Sequence, residues 1–383
     1  MKRFLNMSLF ASSFMAILTC AAFLRAQEPV SVEPTTADGF SWYDATQWPV
    51  ENKGWNDVDR YFARFPSRAK GKVTDSVWSL SQHSAGEVVR FRTNADKIKV
   101  RYTLYSGNVS MAHMPATGVS GLDLYAFDDQ SKRWLWVGCT QPGSKDGEKT
   151  LIQEMERKTR DFILYLPLYN GVDALSIGVP EDCEFTALSP RKDKPIVYYG
   201  TSIAHGGCAS RPGNCYTAMI SRRLDIPVIN LGFSGSAHME IEVAELLAEL
   251  DPAIYVLDPL PNMTPEMVAN RALPFIKKLR ESHPETPILL VEDREFSNAW
   301  IVPSKQDFHA RNHAELKKVY DELKKDDPNV YYLSAKNILG EDLDFDGTVD
   351  GSHPNDLGMW RQANALEASL RPIMEQLSAK ETK

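Results

Sequence analysis

From Lys194 onward the chain alternates short, predominantly apolar runs with helix-like patterns, and that alternation restricts the fold more than any other feature. The runs are Ile196–Tyr199, Val228–Leu231, Ala253–Leu257, Ile288–Val291 and Val330–Leu333. A run this short with no polar alternation fits a strand buried on both faces. Between the runs, apolar residues fall at helical spacing: Tyr216, Met219 and Ile220; Ile241, Ala244 and Leu247; Ala272, Phe275, Ile276 and Leu279; Leu316, Val319, Tyr320 and Leu323. Thr264-Pro265-Glu266 supplies a cap, a first-turn proline and a first-turn acid for the third of these helices. Leu357, Trp360, Leu366, Leu370 and Ile373 mark a final helix that covers the sheet. Strict β/α alternation implies a parallel sheet with right-handed crossovers. The strand order 2-1-3-4-5, a flavodoxin-like three-layer α/β domain, puts the switch point between strands 1 and 3. The loops after strands 1, 2 and 3 then meet at one site.

Upstream the pattern changes. Residues 58–188 show strand alternation, as in Ile98, Val100, Tyr102 and Leu104, with turn clusters at Thr93–Asp96, Asp128–Ser131, Pro142–Gly147 and Tyr169–Gly171. Short strands at such spacing predict an all-β sandwich. At 383 residues the chain is too long for one core. The expected division is a signal peptide at 1–26, an arm or linker at 27–57, a β-sandwich accessory domain at 58–190 and an α/β domain at 191–383, with Ser189–Lys194 as a polar joint.

Lys2 and Arg3 followed by the apolar run Leu9–Leu24 and Ala26 have the make-up of a secretory signal. An exported protein, periplasmic or extracellular, is expected. Cys20 offers a lipid-anchored alternative, but Thr19 before it is larger than such sites accept. No later stretch reaches the roughly 18 apolar residues of a membrane span. Net charge is −8 and no extended Lys/Arg cluster is interleaved with aromatics, which argues against a nucleic-acid partner. Export permits disulfides. Cys139, Cys183, Cys208 and Cys215 allow three pairings, of which Cys208–Cys215 would stiffen the loop after Ser202; four free thiols is the other reading.

Chemistry concentrates at the loop ends. Gly200-Thr201-Ser202 follows strand 1, where an open α/β sheet holds its ligands. A serine hydroxyl needs a base before it becomes a nucleophile. The long loop after the last strand contains Asp350-Gly351-Ser352-His353-Pro354. A histidine three residues after an aspartate can take the carboxylate at one ring nitrogen and present the other outward, as the base half of a Ser-His-Asp triad. An oxyanion hole needs donors aimed at the developing charge. The candidates are the Ser202 N–H, the Gly235 N–H after strand 2 and the Asn262 amide after strand 3.

GTS at 200–202, NLGFSG at 230–235, PN at 261–262 and DGSHP at 350–354 resemble the four blocks of the SGNH hydrolases, the GDSL-like esterases and lipases. The resemblance implies Ser202 as nucleophile, His353 as base, Asp350 as its partner, and Ser202, Gly235 and Asn262 as oxyanion donors. The family's G-D-S is G-T-S here and its G-x-N-D is L-P-N-M; both changes fall beside the reacting residues. Both also resemble a subgroup with an upstream β domain bearing G-x-D-L-Y, which Gly121–Tyr125 (GLDLY) matches. The implied activity is a metal- and cofactor-independent serine esterase that removes small acyl groups, acetyl foremost, from carbohydrate. His205, Arg211, Trp300 and His309 are candidate substrate contacts, Trp300 for stacking on a sugar.

Other readings are a lipase or thioesterase of the same fold, and a glycan-binding protein on an inactive hydrolase scaffold. Asp344–Val349 (DFDGTV) imitates a phosphatase motif but lacks a preceding apolar strand and a following domain. Asp342, Asp344, Asp346 and Gly347 imitate a calcium loop whose twelfth position is His353 instead of a bidentate Glu.

Overall fold

The computed structural model describes residues 27–336, 338–339 and 346–381; the expected signal segment lies outside them, as do Asp342 and Asp344 of the two imitative motifs. Ten of the strands that follow the first one form two antiparallel sheets with it. The first sheet runs β1 (Pro29–Val30), β11 (Phe185–Leu188), β4 (Val88–Thr93), β9 (Arg160–Tyr165), β6 (Asp123–Asp128) and β7 (Arg133–Cys139). The second runs β2 (Thr35–Ala37), β3 (Phe40–Asp44), β10 (Val172–Pro180), β5 (Ile98–Leu104) and β8 (Asp146–Ile152). The third sheet is parallel, in the order β13 (Val228–Gly232), β12 (Ile196–Gly200), β14 (Ile254–Asp258), β15 (Ile288–Val291) and β16 (Val330–Leu333). That is the 2-1-3-4-5 order the alternation predicts. The helices are α1 (Asp75–Ser81), α2 (Ala116–Val119), α3 (Ser202–His205), α4 (Tyr216–Leu224), α5 (Ile241–Leu247), α6 (Pro265–Ser282), α7 (Pro303–Leu323) and α8 (Asp356–Glu381).

Strand β12 shows why its run is unbroken. Val197 and Tyr199 enter one core with α5, α6 and α7, while Ile196 and Tyr198 enter another with α4 and α8. Each face needs apolar side chains, so no polar position alternates. The six-stranded sheet is also covered twice. Phe162 and Leu164 of β9 pack inside the sandwich, while Ile163 and Tyr165 join the α4/α8 core of the parallel sheet. The two halves of the molecule therefore share a continuous apolar layer.

Two upstream expectations are corrected. The segment expected as a loose arm supplies β3, which pairs with β10 in five-residue register, and Trp42 and Trp48 are 3% and 1% exposed. Pro-, Thr- and Glu-rich flanks concealed a strand whose aromatics have a face to fill. Residues 58–81, expected as strand, contain none. Trp55, Phe65, Val73 and Val77 pack on the parallel sheet, and α1 starts where Thr74 Oγ1 accepts from the Val77 N–H at 3.3 Å. At seven residues, α1 is too short for helical periodicity to declare itself.

Charges fasten the joint. Glu51 Oε1 accepts from Arg191 Nη2 at 2.7 Å and from Arg90 Nη2 at 2.9 Å. Burial would raise the Glu51 carboxyl, but Arg191 and Arg90 outweigh it and hold the group at about 2. Arg64 donates to Asn230 O and Gly232 O on β13, at 3.0 and 2.9 Å, and to His83 O.

Candidate active site

Strands β12, β13 and β14 end level, with Gly200 opposite both Gly232 and Asp258. Their loops leave from one edge. Thr201 is extended and caps α3, so Ser202 is the first helical residue and its N–H faces no acceptor within the helix. Helix α3 lies against β13 because position 232 is glycine: a Cβ there would stand 2.1 Å from the His205 nitrogen. Ser202 is 8% exposed.

The loop before α8 delivers the second half. Ser202 Oγ and His353 Nε2 are 2.8 Å apart, and His353 Nδ1 is 2.7 Å from Asp350 Oδ2. The backbone N–H groups of Ser352 and His353 donate to Asp350 Oδ1 at 3.0 and 2.8 Å. Partial burial would raise the Asp350 carboxyl, but those N–H groups and the His353 ring hold it at about 2. An ionised carboxylate at Nδ1 puts the ring proton there and leaves the Nε2 lone pair for the serine hydroxyl. The loop is held from two sides. Ser297 N–H donates to Gly351 O at 2.8 Å and Arg294 Nη2 donates to Ser352 O. Across the site Cys208 N–H donates to Pro354 O at 3.2 Å, and Asp356 accepts from Ser210 N–H at 2.9 Å.

Gly235 has φ +66°, which a glycine adopts without strain. The Asn262 side-chain oxygen accepts from the Gly235 and Ser236 N–H groups at 3.0 and 2.9 Å when the amide is oriented to satisfy both. That orientation turns the Asn262 NH2 away from the loop. It also engages the Gly235 N–H, expected as a free donor, with Asn262. The two residues meet as the sequence predicts, but as a hydrogen-bonded pair.

Three of the four expected substrate contacts are placed differently or left unsupported. His205 is fully buried, stacked on Tyr169 with ring centroids 4.2 Å apart and 3.3 Å from His83 Nδ1. As the last residue of α3 it points inward, and burial, then Arg64 and His83, push its pKa far down, so it is neutral. Arg211 reaches the accessory domain: Nη1 lies 2.9 Å from Asp123 Oδ2 and 2.5 Å from Tyr125 Oη. His309 is 2% exposed and bonded at both ring nitrogens, to Asp293 Oδ2 at 2.7 Å and to the Phe296 N–H at 3.1 Å. Of the four, Trp300 is free to meet a ligand, 65% exposed three residues beyond Ser297, which holds the Asp350–His353 loop.

Two contributors, Tyr169 and His113, had no signal of their own, and the GLDLY motif had one without a stated role. Tyr169 Oη donates to Ser202 O at 2.9 Å. The His113 ring, on an exposed accessory-domain loop, lies 5.9 Å from the His353 ring. The GLDLY motif acts as a cross-domain brace: fully buried Asp123 accepts from Arg211, from the Gly213 N–H at 2.8 Å and from Trp136 Nε1 at 2.9 Å. The four cysteines are unpaired, including Cys208 and Cys215. Burial pushes the Cys208 thiol up to about 11, which keeps it from competing as a nucleophile.

Asp293, His309 and His313 bring ligand-type atoms within 4.8 Å of one another. Their hydrogen bonds do not suit a cation. The Phe296 N–H can only donate, so His309 Nε2 holds the lone pair and Nδ1 the proton. His313 Nε2 faces two acceptors, Asp293 Oδ1 at 2.8 Å and Asp293 O at 2.9 Å, and also carries a proton. Neither nitrogen facing the carboxylate has a free pair to give a metal.

Residues 193–371 match the model of the GDSL-like lipase/acylhydrolase family, and residues 40–185 match the N-terminal domain of SGNH-hydrolase-type esterases. A crystal structure of a protein described as a GDSL-like lipase from Bacteroides ovatus is 32% identical, covers 88% of this chain and 98% of its own, and superposes with a TM-score of 0.83. The chain belongs to the GDSL-like lipase/acylhydrolase family of ester hydrolases. Two more distant structures share the fold. A salicylyl-acyltransferase from a tetracycline biosynthetic pathway is 17% identical over 91% of this chain and 94% of its own (TM-score 0.67). A family two carbohydrate esterase from Clostridium thermocellum, in complex with cellohexaose, is 11% identical over 76% and 93% (TM-score 0.53). No curated protein matches the chain. Among the described residues, no helix is long and apolar enough to cross a membrane.

Proposed function

We propose that the protein is an exported serine esterase that removes small acyl groups, acetyl foremost, from carbohydrate. The observation that carries this reading is the 2.8 Å contact between Ser202 Oγ and His353 Nε2, with Asp350 behind the ring. Ser202 Oγ attacks the ester carbonyl carbon while its proton passes to His353 Nε2. The carbonyl oxygen becomes an oxyanion beside the Ser202 N–H and the Asn262 NH2, and the Gly235 N–H joins them if it leaves Asn262 Oδ1. Each such donor is worth roughly 3–4 kcal/mol in the transition state. As the tetrahedral intermediate collapses, His353 returns the proton to the departing alcohol. Water then attacks the acyl-serine, with His353 as base again, and releases the acid and the free hydroxyl of Ser202. Asp350 stays ionised throughout.

A nucleophile only 8% exposed favours a short acyl group over a long chain. The carbohydrate part draws on the family, on the Clostridium thermocellum neighbour and on the solvent-exposed Trp300. Export draws on the Lys2–Ala26 segment. The test is Ser202→Ala assayed on p-nitrophenyl acetate and on acetylated oligosaccharides by mass spectrometry. Wild-type turnover in that variant would end the reading. Preference of the native protein for C8–C12 esters would replace acetyl by long-chain specificity.

A further inference from the structure

A cavity of about 520 Å3 opens where the β6–β7 hairpin of the accessory domain meets α4 and α8 of the catalytic domain. Its wall carries four cations, Lys132, Arg133, Arg222 and Arg223, against two carboxylates, Asp225 and Glu367. Both carboxylates are already engaged. Glu367 lies 3.4 Å from Arg223 and also pairs with Arg371, and Asp225 lies 3.1 Å from Arg191. Arg222 is held over the Tyr125 ring, 4.1 Å from its centroid, and donates to Gly213 O. Lys132 and Arg133 are exposed and have no carboxylate partner among the described residues. In a chain of net charge −8, this is a local excess of unneutralised positive charge.

The cavity also has aromatic walls, and along β7 the aromatic face extends past it. Trp134 and Trp136 sit two apart on β7, so they share a face at about 6.5–7 Å spacing along the strand. Trp134 lines the cavity together with Trp360 of α8, which is 51% exposed. Trp136, 53% exposed, continues the line to Arg211, whose guanidinium stands 5.1 Å from its ring. Arg211 follows Ser210 in the loop that leads back to Ser202. Tryptophan faces suit the C–H faces of sugar rings, and Arg and Lys supply paired donors for anionic oxygens.

We propose that this groove binds a glycan chain carrying anionic groups, carboxylate or sulfate, with Lys132 and Arg133 reading the charge and the tryptophans stacking the rings. The inference rests on the carbohydrate-ester reading and names its substrate class: an acidic polysaccharide held along β7 while an ester on it reaches Ser202.

Binding separates this inference from the chemistry. The whole protein carrying Ser202→Ala is run by affinity electrophoresis through gels containing polygalacturonate, a sulfated glycan (chondroitin sulfate) or neutral xylan. The expected result is retardation by one or both acidic glycans and not by xylan; the first two gels tell carboxylate from sulfate. Lys132→Glu combined with Arg133→Glu weakens that retardation at least tenfold, and Trp134→Ala weakens it separately. Lys318→Glu, an exposed reversal on α7, leaves it unchanged. Absence of retardation, equal loss with Lys318→Glu, or retention that is strongest on xylan overturns the proposal. Tighter retention on a single-stranded oligonucleotide than on any glycan also overturns it. None of these outcomes depends on whether Ser202 is a nucleophile.

Discussion

Two Asp–His pairs among the described residues share the same Nδ1 contact and have opposite prospects. Asp350 Oδ2 and Asp293 Oδ2 each stand 2.7 Å from the Nδ1 of their histidine, His353 and His309. What differs is the other ring nitrogen. His353 Nε2 meets a hydroxyl, which can surrender a proton to it, at 2.8 Å. His309 Nε2 meets the backbone N–H of Phe296, which cannot. Burial follows the same division: the Asp350 and His353 side chains are 42% and 24% exposed, those of Asp293 and His309 1% and 2%. An imidazole oriented by a carboxylate is therefore not yet a base; the group at its far nitrogen decides. The buried pair has a different task, holding the turn from which Arg294 and Ser297 grip the Asp350–His353 loop.

The widest separation of the two pairs comes from removing either member of the Ser202–His353 contact. Ser202→Ala or His353→Ala should lower ester turnover on the order of 10^6-fold, with thermal melts close to wild type. Next, Asp350→Asn should cost about 10^4-fold in kcat through loss of the ring tautomer and of imidazolium stabilisation. Asp293→Asn should act mainly on stability instead, by about 1–3 kcal/mol, with kcat falling no more than about tenfold through a looser catalytic loop. If the two Asn variants lose equal turnover, the division of labour between the pairs is wrong. Urea unfolding and steady-state kinetics on the same preparations decide it.

The smallest effect is one of pH, and the two regions differ in sign. Burial would lower the His313 pKa, but Asp293 and Glu292 raise it overall. A raised histidine contributes stability that is full below its unfolded value and is lost as pH rises through the folded one. Asp350, held at about 2, contributes stability that is present above about 3.8 and lost as pH falls through 2. His313→Gln should therefore flatten the fall in melting temperature that sets in as pH rises above about 6.5, and Asp350→Asn should flatten the acid side. A His313→Gln profile parallel to wild type would remove the buried cluster from the pH response.

How much was legible depended on what kind of signal each part leaves in the chain. The parallel sheet was legible because strands buried on both faces leave unbroken apolar runs, as in Ile196–Tyr199. Ser202, Asp350 and His353 were readable because loop position and short spacing announce them. His205 misled because it lies three residues from Ser202: one turn of α3 points it to the opposite side. His309 misled because a histidine's place along a helix carries no record of which carboxylate it will face. Trp42 was hidden among polar and proline residues whose pairing with β10 is a long-range event.

The sequence by itself determined the α/β class, the strand order and the identity of the candidate nucleophile, base and acid, because periodicity and loop placement are local properties of the chain. Only the tertiary structure decided that Gly235 and Asn262 bind each other, that Arg211 answers Asp123 of the GLDLY motif, and that His113 reaches across to His353. Each of those is a contact between residues brought together by packing two halves on a shared apolar layer. Hydrogen-bond partners chosen that way depend on distances no spacing in the sequence encodes.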